Sequence, residues 1–337
     1  MQKEKLWGIL VHLSMDMWKH LEFLNSPLSA YFEEDVWNEI IDRAADAGMN
    51  AIVLDVGNGI RFQSHPEIAK EDAYSIEWAH EQVRKCREKG IALIPKLNFA
   101  TTHDMWLGDY SRMISSPTYY KVTKELIEEV YEIFEHPAYI HLGMDDEGPF
   151  YLQHSQYAVF RRGELYFHDL KYLCGVVSAL GATPWIWSSS MQDMPELFRE
   201  KIDKDELVIS PYYYYALRRE NWTPISSKQL YIDYYKENFP DLDISYVEED
   251  PYNVRFRLLS LPMMEYGYKY IPCASVDTGC ECNTEDIMEY YKRYADDEKV
   301  LGYITAPWCP TKHTEKCDSY FEKTFRFFKE AKAKIYG

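Results

Sequence analysis

Tyr139-Ile-His-Leu-Gly-Met-Asp-Asp-Glu147 is an apolar run that passes directly into three consecutive carboxylates, and Gly148-Pro149 interrupts the chain after them. This pattern is typical of a buried strand that ends in an acidic site. Three adjacent carboxylates repel one another, so we expect at least one of them to hold its proton near neutral pH. A protonated carboxyl beside an ionised one is the working pair of glycoside hydrolysis. The alternative is a solvated acidic turn.

Apolar strand-like runs alternate with segments of helical periodicity along the whole chain. The predicted strands span residues 6–13, 51–56, 91–97, 139–144, 183–187, 207–213, 270–276 and 300–307. The predicted helices span residues 33–48, 75–89, 117–134, 166–180, 195–202, 227–238, 254–266, 284–295 and 314–335, with Thr284 as an N-cap. Strands that are apolar almost throughout are typical of a parallel sheet covered on both faces.

Eight such units in 337 residues predict an α/β protein, a (β/α)8 TIM barrel that forms a single domain over residues 1–337 with loop insertions. A doubly wound open sheet is the main alternative. It is disfavoured because no glycine-rich phosphate loop follows the first strand, and Gly57-Asn-Gly59 is too short for one. No linker-like stretch divides the chain.

The composition limits the classes of partner. A net charge of -18 makes nucleic acids and anionic membranes poor partners, whereas a neutral or cationic ligand is accepted more readily. Aromatic residues make up 16% of the chain, with 29 Tyr and 9 Trp. Sugar faces pack on aromatic rings while sugar hydroxyls meet carboxylates, so this composition favours a carbohydrate as the ligand.

The N-terminus has no apolar signal region, and no run is long enough to span a bilayer. We therefore expect a cytoplasmic protein, although a removed leader in a precursor stays open. The seven scattered cysteines do not suggest a disulfide framework. Cys280-Glu-Cys282 has a shorter spacer than zinc sites usually use, and we expect neither a metal nor a cofactor. The sequence does not predict the oligomeric state.

In a barrel of this kind, catalytic residues lie where the strands end, on the C-terminal face. Polar and aromatic side chains follow nearly every predicted strand. The candidate catalytic residues are Asp145, Asp146 and Glu147, and the candidate substrate-binding residues are His12, Asp16, Asp55, Asn98, His103, His141, Trp187, Tyr213, Asp277 and Trp308. Purely structural roles stay open for some of these residues. His141 could hold a loop carbonyl, Asp55 could orient a Lys or Arg, and about half of the rings of residues 212–215 should pack in the core or against helices.

His141-x-Gly143-x-Asp145-Asp146 resembles the His-x-Gly-Gly-Asp-Glu signature of the family 20 glycoside hydrolases, the β-N-acetylhexosaminidases. The segment from Pro95 to His103 is similar to the third-strand segment of that family. The resemblance implies a (β/α)8 catalytic domain and places Trp187, a Tyr near position 213 and Trp308 among its sugar-packing aromatics.

The resemblance also implies substrate-assisted cleavage. Asp145 would orient the 2-acetamido group, whose carbonyl oxygen attacks the anomeric carbon, and Asp146 would protonate the leaving oxygen. The chain departs from the family by having Asp at the acid position with Glu147 directly after it. Either Asp146 works from a shifted backbone, or Glu147 is the proton donor. The family's first-strand Arg has no match beyond His12 nearby, and its third-strand Asp is replaced by Asn98.

Three functions follow as hypotheses. The leading one is a glycoside hydrolase that cleaves a terminal β-linked sugar by carboxylate acid catalysis, with an N-acetylated sugar implied by the resemblance. The second is a catalytically inactive carbohydrate-binding barrel, because fold does not fix activity. The third is a metal-dependent barrel hydrolase that would use His12, His141, Asp145 and Asp277.

Overall fold

The computed structural model describes residues 4–16, 26–147, 157–218 and 254–337, with a few positions between 233 and 241. The strands in these ranges are β1 (Leu6–His12), β2 (Ala51–Asp55), β3 (Ala92–Lys96), β4 (Tyr139–His141), β5 (Thr183–Trp187), β6 (Val208–Ser210), β7 (Lys269–Tyr270), β8 (Cys273–Ala274) and β9 (Gly302–Thr305). The α-helices there are α1 (Glu34–Asp46), α2 (Ile76–Glu88), α3 (Pro117–Ile133), α4 (Glu164–Ala179), α5 (Ser189–Asp193), α6 (Pro195–Lys201), α7 (Val254–Glu265), α8 (Asn283–Tyr294) and α9 (Glu315–Tyr336). Short 3-10 helices cover Leu28–Ala30, Pro66–Ile68 and Met105–Arg112.

All of these strands lie parallel in one sheet. From β1 to β6 each strand pairs with the next, and β9 pairs with β1. β7 and β8 are consecutive parts of one barrel strand, since β7 pairs with β6 and β8 pairs with β9. The Ile271 N–H donates to the carbonyl of Ile209, and the Ile304 N–H donates to the carbonyl of Pro272, each over 2.9 Å. These bonds join β6 to β9 through the seventh strand, which confirms the predicted TIM-barrel fold.

The strands have two buried faces because alternate side chains point to opposite sides. One buried cluster fills the barrel and includes Leu10, Val53, Ile94, Trp185 and Ile304. A larger cluster lies between the strands and the helices and includes Ile9, Ile52, Ile140, Ile186 and Ile209. This arrangement explains why the strands read as unbroken apolar runs.

Three helices begin at capping hydroxyls close to their predicted starts. The hydroxyls of Ser75, Ser116 and Thr314 each accept a backbone N–H from the first turn of the following helix. The predicted cap at Thr284 is wrong, because α8 already begins at Asn283. The amide side chain of Asn283 donates to the carbonyl of Tyr213 over 2.8 Å and fixes the helix start there.

The helix predicted over residues 227–238 lies, apart from three positions, outside the described residues. The short helix α5 directly after β5 was not predicted. Among the described helices, none has both the length and the apolar character that crossing a bilayer demands.

β4 ends at His141, three residues earlier than predicted. Gly143, Met144 and Asp146 have φ values of 70°, 63° and 54°, which lie in the left-handed region and cannot continue a strand. Gly143 also needs to be a glycine because a Cβ there would overlap the side-chain amide of Asn98. The resulting turn sends the three carboxylates after it toward different neighbours.

Candidate active site

A buried charged pair lies under the C-terminal face of the barrel. The strand register places His12 beside Asp55 and Asp55 beside Lys96. The Lys96 ammonium bonds directly to the Asp55 carboxylate, and His12 Nδ1 lies 3.4 Å from Asp55 Oδ2. Burial opposes ionisation of Asp55, but the charge of Lys96 and the contact with His12 lower its pKa to about 2. Asp55 therefore holds Lys96 and His12 in place from below.

His141 supports the turn that follows β4. Its ring is completely buried and packs between Trp185 and Trp187, with ring centroids 4.9 and 4.8 Å away. His141 Nδ1 accepts the N–H of Gly143 over 3.0 Å. Burial lowers the pKa of His141 well below its usual value, so the ring is neutral. The alternative in which His141 holds a loop therefore describes its contacts, since its ring accepts the backbone N–H of Gly143.

A cavity of about 650 Å³ opens where the strands end. Eight of the predicted site residues line it: His12, Asn98, His103, Asp145, Asp146, Trp187, Asp277 and Trp308. The position of this cavity agrees with the rule that barrel sites lie on the C-terminal face.

Asp145 lies against the third-strand segment. The side-chain amide of Asn98 donates to Asp145 Oδ1 over 3.0 Å, and His103 Nδ1 lies 3.5 Å from the same oxygen. Burial raises the pKa of Asp145 to about 6, although the charge of Lys96 and the Asn98 hydrogen bond act in the opposite direction. Burial also lowers the pKa of His103 to about 4. A neutral imidazole therefore accompanies a carboxyl that titrates near neutral pH.

Asp146 turns toward β5 and β6. The hydroxyl of Tyr212 donates to Asp146 Oδ1 over 2.7 Å, and the hydroxyl of Ser189 donates to the same oxygen over 3.3 Å. The hydroxyl oxygens of Ser189 and Tyr212 are themselves 2.8 Å apart. Burial raises the pKa of Asp146, and the negative charge of Asp145 raises it further. The charge of Asp145 therefore favours the protonated form of Asp146.

Glu147 has a different environment and does not line the cavity. Arg161 Nη2 lies 2.5 Å from Glu147 Oε1, and the backbone N–H of Thr101 donates to the same oxygen over 3.0 Å. Arg161 Nη1 also reaches Asp169 Oδ2 over 3.0 Å. The side chains of Glu147, Arg161 and Asp169 are 4%, 1% and 0% exposed. The third carboxylate of the acidic run is therefore engaged in a buried ion network.

Aromatic rings form one wall of the cavity. The rings of Trp187 and Trp308 have centroids 5.8 Å apart, and Trp187 meets Tyr212 edge-on at 5.6 Å. Tyr214 stacks on Tyr212 at 5.5 Å and lies 5.9 Å from Trp308. This wall faces the carboxyl pair, as a site for a sugar ring requires.

Five predicted residues lie outside the lining: Asp16, Asp55, His141, Glu147 and Tyr213. Asp16 accepts a 2.9 Å hydrogen bond from Asn58 and lies 3.1 Å from Lys70, beside a separate cavity. Tyr213 points into the outer core because side chains alternate after β6. The same alternation turns Tyr212 and Tyr214 inward, and it was the available signal for choosing them over Tyr213.

Sequence reasoning also missed the loop between β9 and α9. Besides Met15, Lys96 and the two tyrosines, the unpredicted lining residues come from this loop and the start of α9: Cys309, Pro310, Lys312, Thr314, Lys316 and Cys317. No spacing pattern marks them, since the loop conformation alone brings them to the cavity.

The ligand set of the metal-dependent alternative is not assembled. His141 accepts the N–H of Gly143 and packs against two indole rings below the cavity, whereas His12, Asp145 and Asp277 line the cavity. Over the described ranges, no three His, Cys, Asp or Glu side chains are grouped as a metal site would need.

Neither a protein-family model nor a curated protein matches the sequence. Solved structures do match. The β-N-acetylhexosaminidase from Bacteroides fragilis NCTC 9343 aligns with a TM-score of 0.62 at 13% identity, over 98% of this chain and 65% of that chain. The family 20 β-N-acetylhexosaminidase from Streptomyces coelicolor A3(2) aligns with a TM-score of 0.59 at 12% identity, over 98% of this chain and 68% of that one.

Dispersin B aligns with a TM-score of 0.56 at 12% identity, over 99% of this chain and 100% of its own. The chain therefore spans about two thirds of the two longer proteins and the whole of Dispersin B. At this level of identity the likeness is one of fold. The chain has a TIM-barrel fold like that of these β-N-acetylhexosaminidases, at a sequence identity of 12–13%.

Proposed function

We propose that this protein is a glycoside hydrolase that removes a terminal β-linked 2-acetamido sugar. The observation that carries the proposal is that two adjacent buried carboxyls with raised pKa values, Asp145 and Asp146, line a cavity walled by Trp187, Tyr212 and Trp308. The fold shared with known β-N-acetylhexosaminidases supports the same reading. Cytoplasmic location, a single domain and independence from metals and cofactors stay predictions from the sequence.

The environments of the two carboxyls give them different roles. Burial raises the pKa of Asp145 to about 6 against the opposing effects of Lys96 and the Asn98 amide, so Asp145 is ionised above that pH. Burial raises the pKa of Asp146 as well, and the charge of Asp145 adds to that effect by favouring the protonated form. The hydrogen bonds from the Tyr212 and Ser189 hydroxyls both end on Asp146 Oδ1, so Oδ2 is the oxygen from which a proton can be donated. Asp146 is therefore the general acid, and Asp145 is the anion beside it.

The reaction then follows the substrate-assisted course. Asp145 accepts the N–H of the 2-acetamido group and turns its carbonyl oxygen toward the anomeric carbon. That oxygen attacks as Asp146 protonates the departing glycosidic oxygen, which frees the aglycone and forms an oxazolinium ion whose N–H stays hydrogen-bonded to the Asp145 carboxylate. Asp146, now ionised, takes a proton from the water that opens the oxazolinium ion, so Asp146 regains its proton and Asp145 stays ionised throughout.

Glu147 is a positioning residue in this scheme. Its carboxylate is committed to Arg161 and Thr101, so it holds the turn after β4 and does not reach the cavity. The acid at position 146 is one methylene shorter than a glutamate. Its left-handed backbone, with φ of 54°, is a local strain of roughly 1–3 kcal/mol, which is typical of residues held in place for function.

The experiment compares hydrolysis of aryl N-acetyl-β-glucosaminides with hydrolysis of the matching aryl β-glucosides. The wild-type protein should cleave only the acetamido substrates. Asp146→Asn should lose far more activity on the phenyl than on the nitrophenyl glycoside, because a poor leaving group depends most on the acid. Asp109→Asn, which removes an exposed carboxylate elsewhere, is the control and should be fully active.

The replacement of Glu by Asp at position 146 also motivates the second candidate, an inactive carbohydrate-binding barrel. Titration calorimetry with N-acetylglucosamine distinguishes the two. Binding without turnover of any aryl glycoside would support the binding protein. Absence of both binding and turnover would reject the saccharide proposal as a whole.

A further inference from the structure

Two cysteines line the same cavity as Asp145 and Asp146. Cys309 follows β9, Cys317 lies in the first turn of α9, and both line the cavity while each is only 3% exposed. The two thiols lie close enough to influence each other's ionisation. Because the two sulfurs are buried from the outer surface, a reagent in solution reaches them through the cavity.

The surroundings of the two thiols are unequal. The backbone N–H of Cys317 donates to the Thr314 hydroxyl over 3.0 Å at the N-terminal end of a 22-residue helix. The hydrogen bond from Cys309 is the largest effect on Cys317 and lowers its pKa to about 6 against the opposing effect of burial, with smaller contributions from Thr314 and Lys312. The same bond, together with burial, raises the pKa of Cys309. Cys317, in the first turn of this helix, is the better-placed nucleophile, and Cys309 is the thiol that can resolve a first adduct.

We propose that Cys309 and Cys317 form a thiol–disulfide exchange site in the cavity wall, which is oxidised by small aliphatic disulfides that enter the cavity. The Cys317 thiolate attacks one sulfur of the disulfide, and a sulfur–sulfur bond forms as the first small thiolate leaves. Cys309 loses its proton to that thiolate or to water and attacks Cys317 Sγ. The second small thiolate leaves and is protonated, so one disulfide is reduced to two thiols as the protein dithiol becomes a disulfide.

This exchange would act directly on the cavity. The mixed disulfide at Cys317 places a substituent inside the space that a sugar would occupy. The final disulfide ties Cys309, and with it the neighbouring Trp308, to the first turn of α9. A small thiol reverses both states, so the site would make access to the cavity dependent on the thiol–disulfide balance around the protein.

The chain supplies its own controls. Cys280 and Cys282 have sulfurs 3.5 Å apart, yet they lie outside the cavity lining. Cys86 and Cys174 are completely buried, and burial raises the pKa of each thiol. Reaction at Cys86 or Cys174 would therefore report unfolding.

The test treats the full chain at neutral pH with bis-hydroxyethyl disulfide and maps the products by mass spectrometry under non-reducing conditions. The wild-type protein should yield a 309–317 cross-linked peptide that has lost two hydrogens, while Cys86 and Cys174 stay reduced. Cys309→Ser should stop at the mixed disulfide on Cys317. Cys317→Ser should lose the cross-link and carry no adduct at Cys309 on the same time scale.

Three results would overturn the proposal. One is a wild-type protein in which Cys309 and Cys317 stay reduced while the 280–282 pair oxidises. Another is an equal yield of adduct at Cys309 with and without Cys317. The third is labelling of Cys86 and Cys174 at the same rate as the cavity pair. None of these readouts uses glycoside hydrolysis, so the outcome is independent of the catalytic proposal.

Discussion

The hydroxyl of Tyr212 donates a 2.7 Å hydrogen bond to Oδ1 of Asp146, which links the strand β6 side of the cavity to the acidic turn after β4. The carboxyl that we assign as the acid is thereby fixed by a residue about a fifth of the chain away. The bond also favours the ionised form of Asp146, against burial and the charge of Asp145.

Tyr212→Phe should change the pH profile of the enzyme. Loss of the bond raises the pKa of Asp146 further, and a general acid works only below its pKa. The alkaline limb of kcat/KM should therefore move to higher pH, by about one unit or less, while kcat falls about tenfold from poorer positioning. Tyr214→Phe, which keeps the bond to Asp146, is the control and should leave the limb in place. A limb unchanged in both variants would contradict the assignment of Asp146.

Asp145→Asn should stabilise the protein at neutral pH. The pKa of Asp145 is about 6 in the folded protein against a usual 3.8, so the folded state binds this proton more tightly than the unfolded chain does. The resulting penalty on folding is absent below about pH 4, grows from about pH 4 to 6, and amounts to roughly 3 kcal/mol above that range.

The variant removes this penalty, so its Tm should exceed that of the wild type at about pH 7.5 and approach it at about pH 4. Calorimetric unfolding at the two pH values measures the difference. Asp109→Asn, at an exposed position, should show no such pH-dependent gain. A variant that is equally or less stable at neutral pH would mean that Asp145 is not held at a cost to stability.

The sequence predicts the fold well because the evidence for it is local and repeated. Each strand is an apolar run, and capping hydroxyls at Ser75, Ser116 and Thr314 mark helix starts within a few residues. The rule that sites lie at strand ends then brings Asp145 and Asp146 into the cavity without any knowledge of tertiary contacts.

The remaining parts of the site depend on contacts that no local pattern carries. In the sequence, Glu147 cannot be distinguished from the two carboxylates before it. In the structure, its carboxylate pairs with the buried Arg161, fourteen positions later, and does not line the cavity. Asp55 was predicted as a substrate-binding residue, but its carboxylate pairs with Lys96 on the adjacent strand and does not line the cavity. Cys309 and its loop reach the cavity through backbone conformation, which composition and periodicity do not encode.

Glu147→Gln tests whether this residue stabilises the fold or donates a proton. The change leaves Arg161 buried with one carboxylate fewer, so the free energy of unfolding should fall by about 3–5 kcal/mol. Asp169→Asn removes the other carboxylate from Arg161 at a helix position outside the cavity, and it should cost a comparable amount.

Denaturant titration at low temperature measures both variants. The fraction of Glu147→Gln that stays folded should keep a kcat within a few-fold of the wild type, since Asp146 is untouched. A folded variant that is stable but inactive would instead identify Glu147 as the proton donor.

Trp308→Ala tests the aromatic wall. The ring of Trp308 lies within 6 Å of the rings of Trp187, Tyr214 and His12, with centroid distances of 5.8, 5.9 and 5.6 Å, so its loss opens the face on which a sugar would pack. We expect the Kd for N-acetylglucosamine to rise about tenfold, which corresponds to roughly 1.4 kcal/mol. Trp78→Ala is the control, because it removes an indole ring that does not line the cavity and that stacks on Tyr74 with ring centroids 4.0 Å apart. The Kd of this variant should stay at the wild-type value. Equal losses in the two variants would show that the effect comes from general destabilisation, and an unchanged Kd in Trp308→Ala would move the sugar away from this wall.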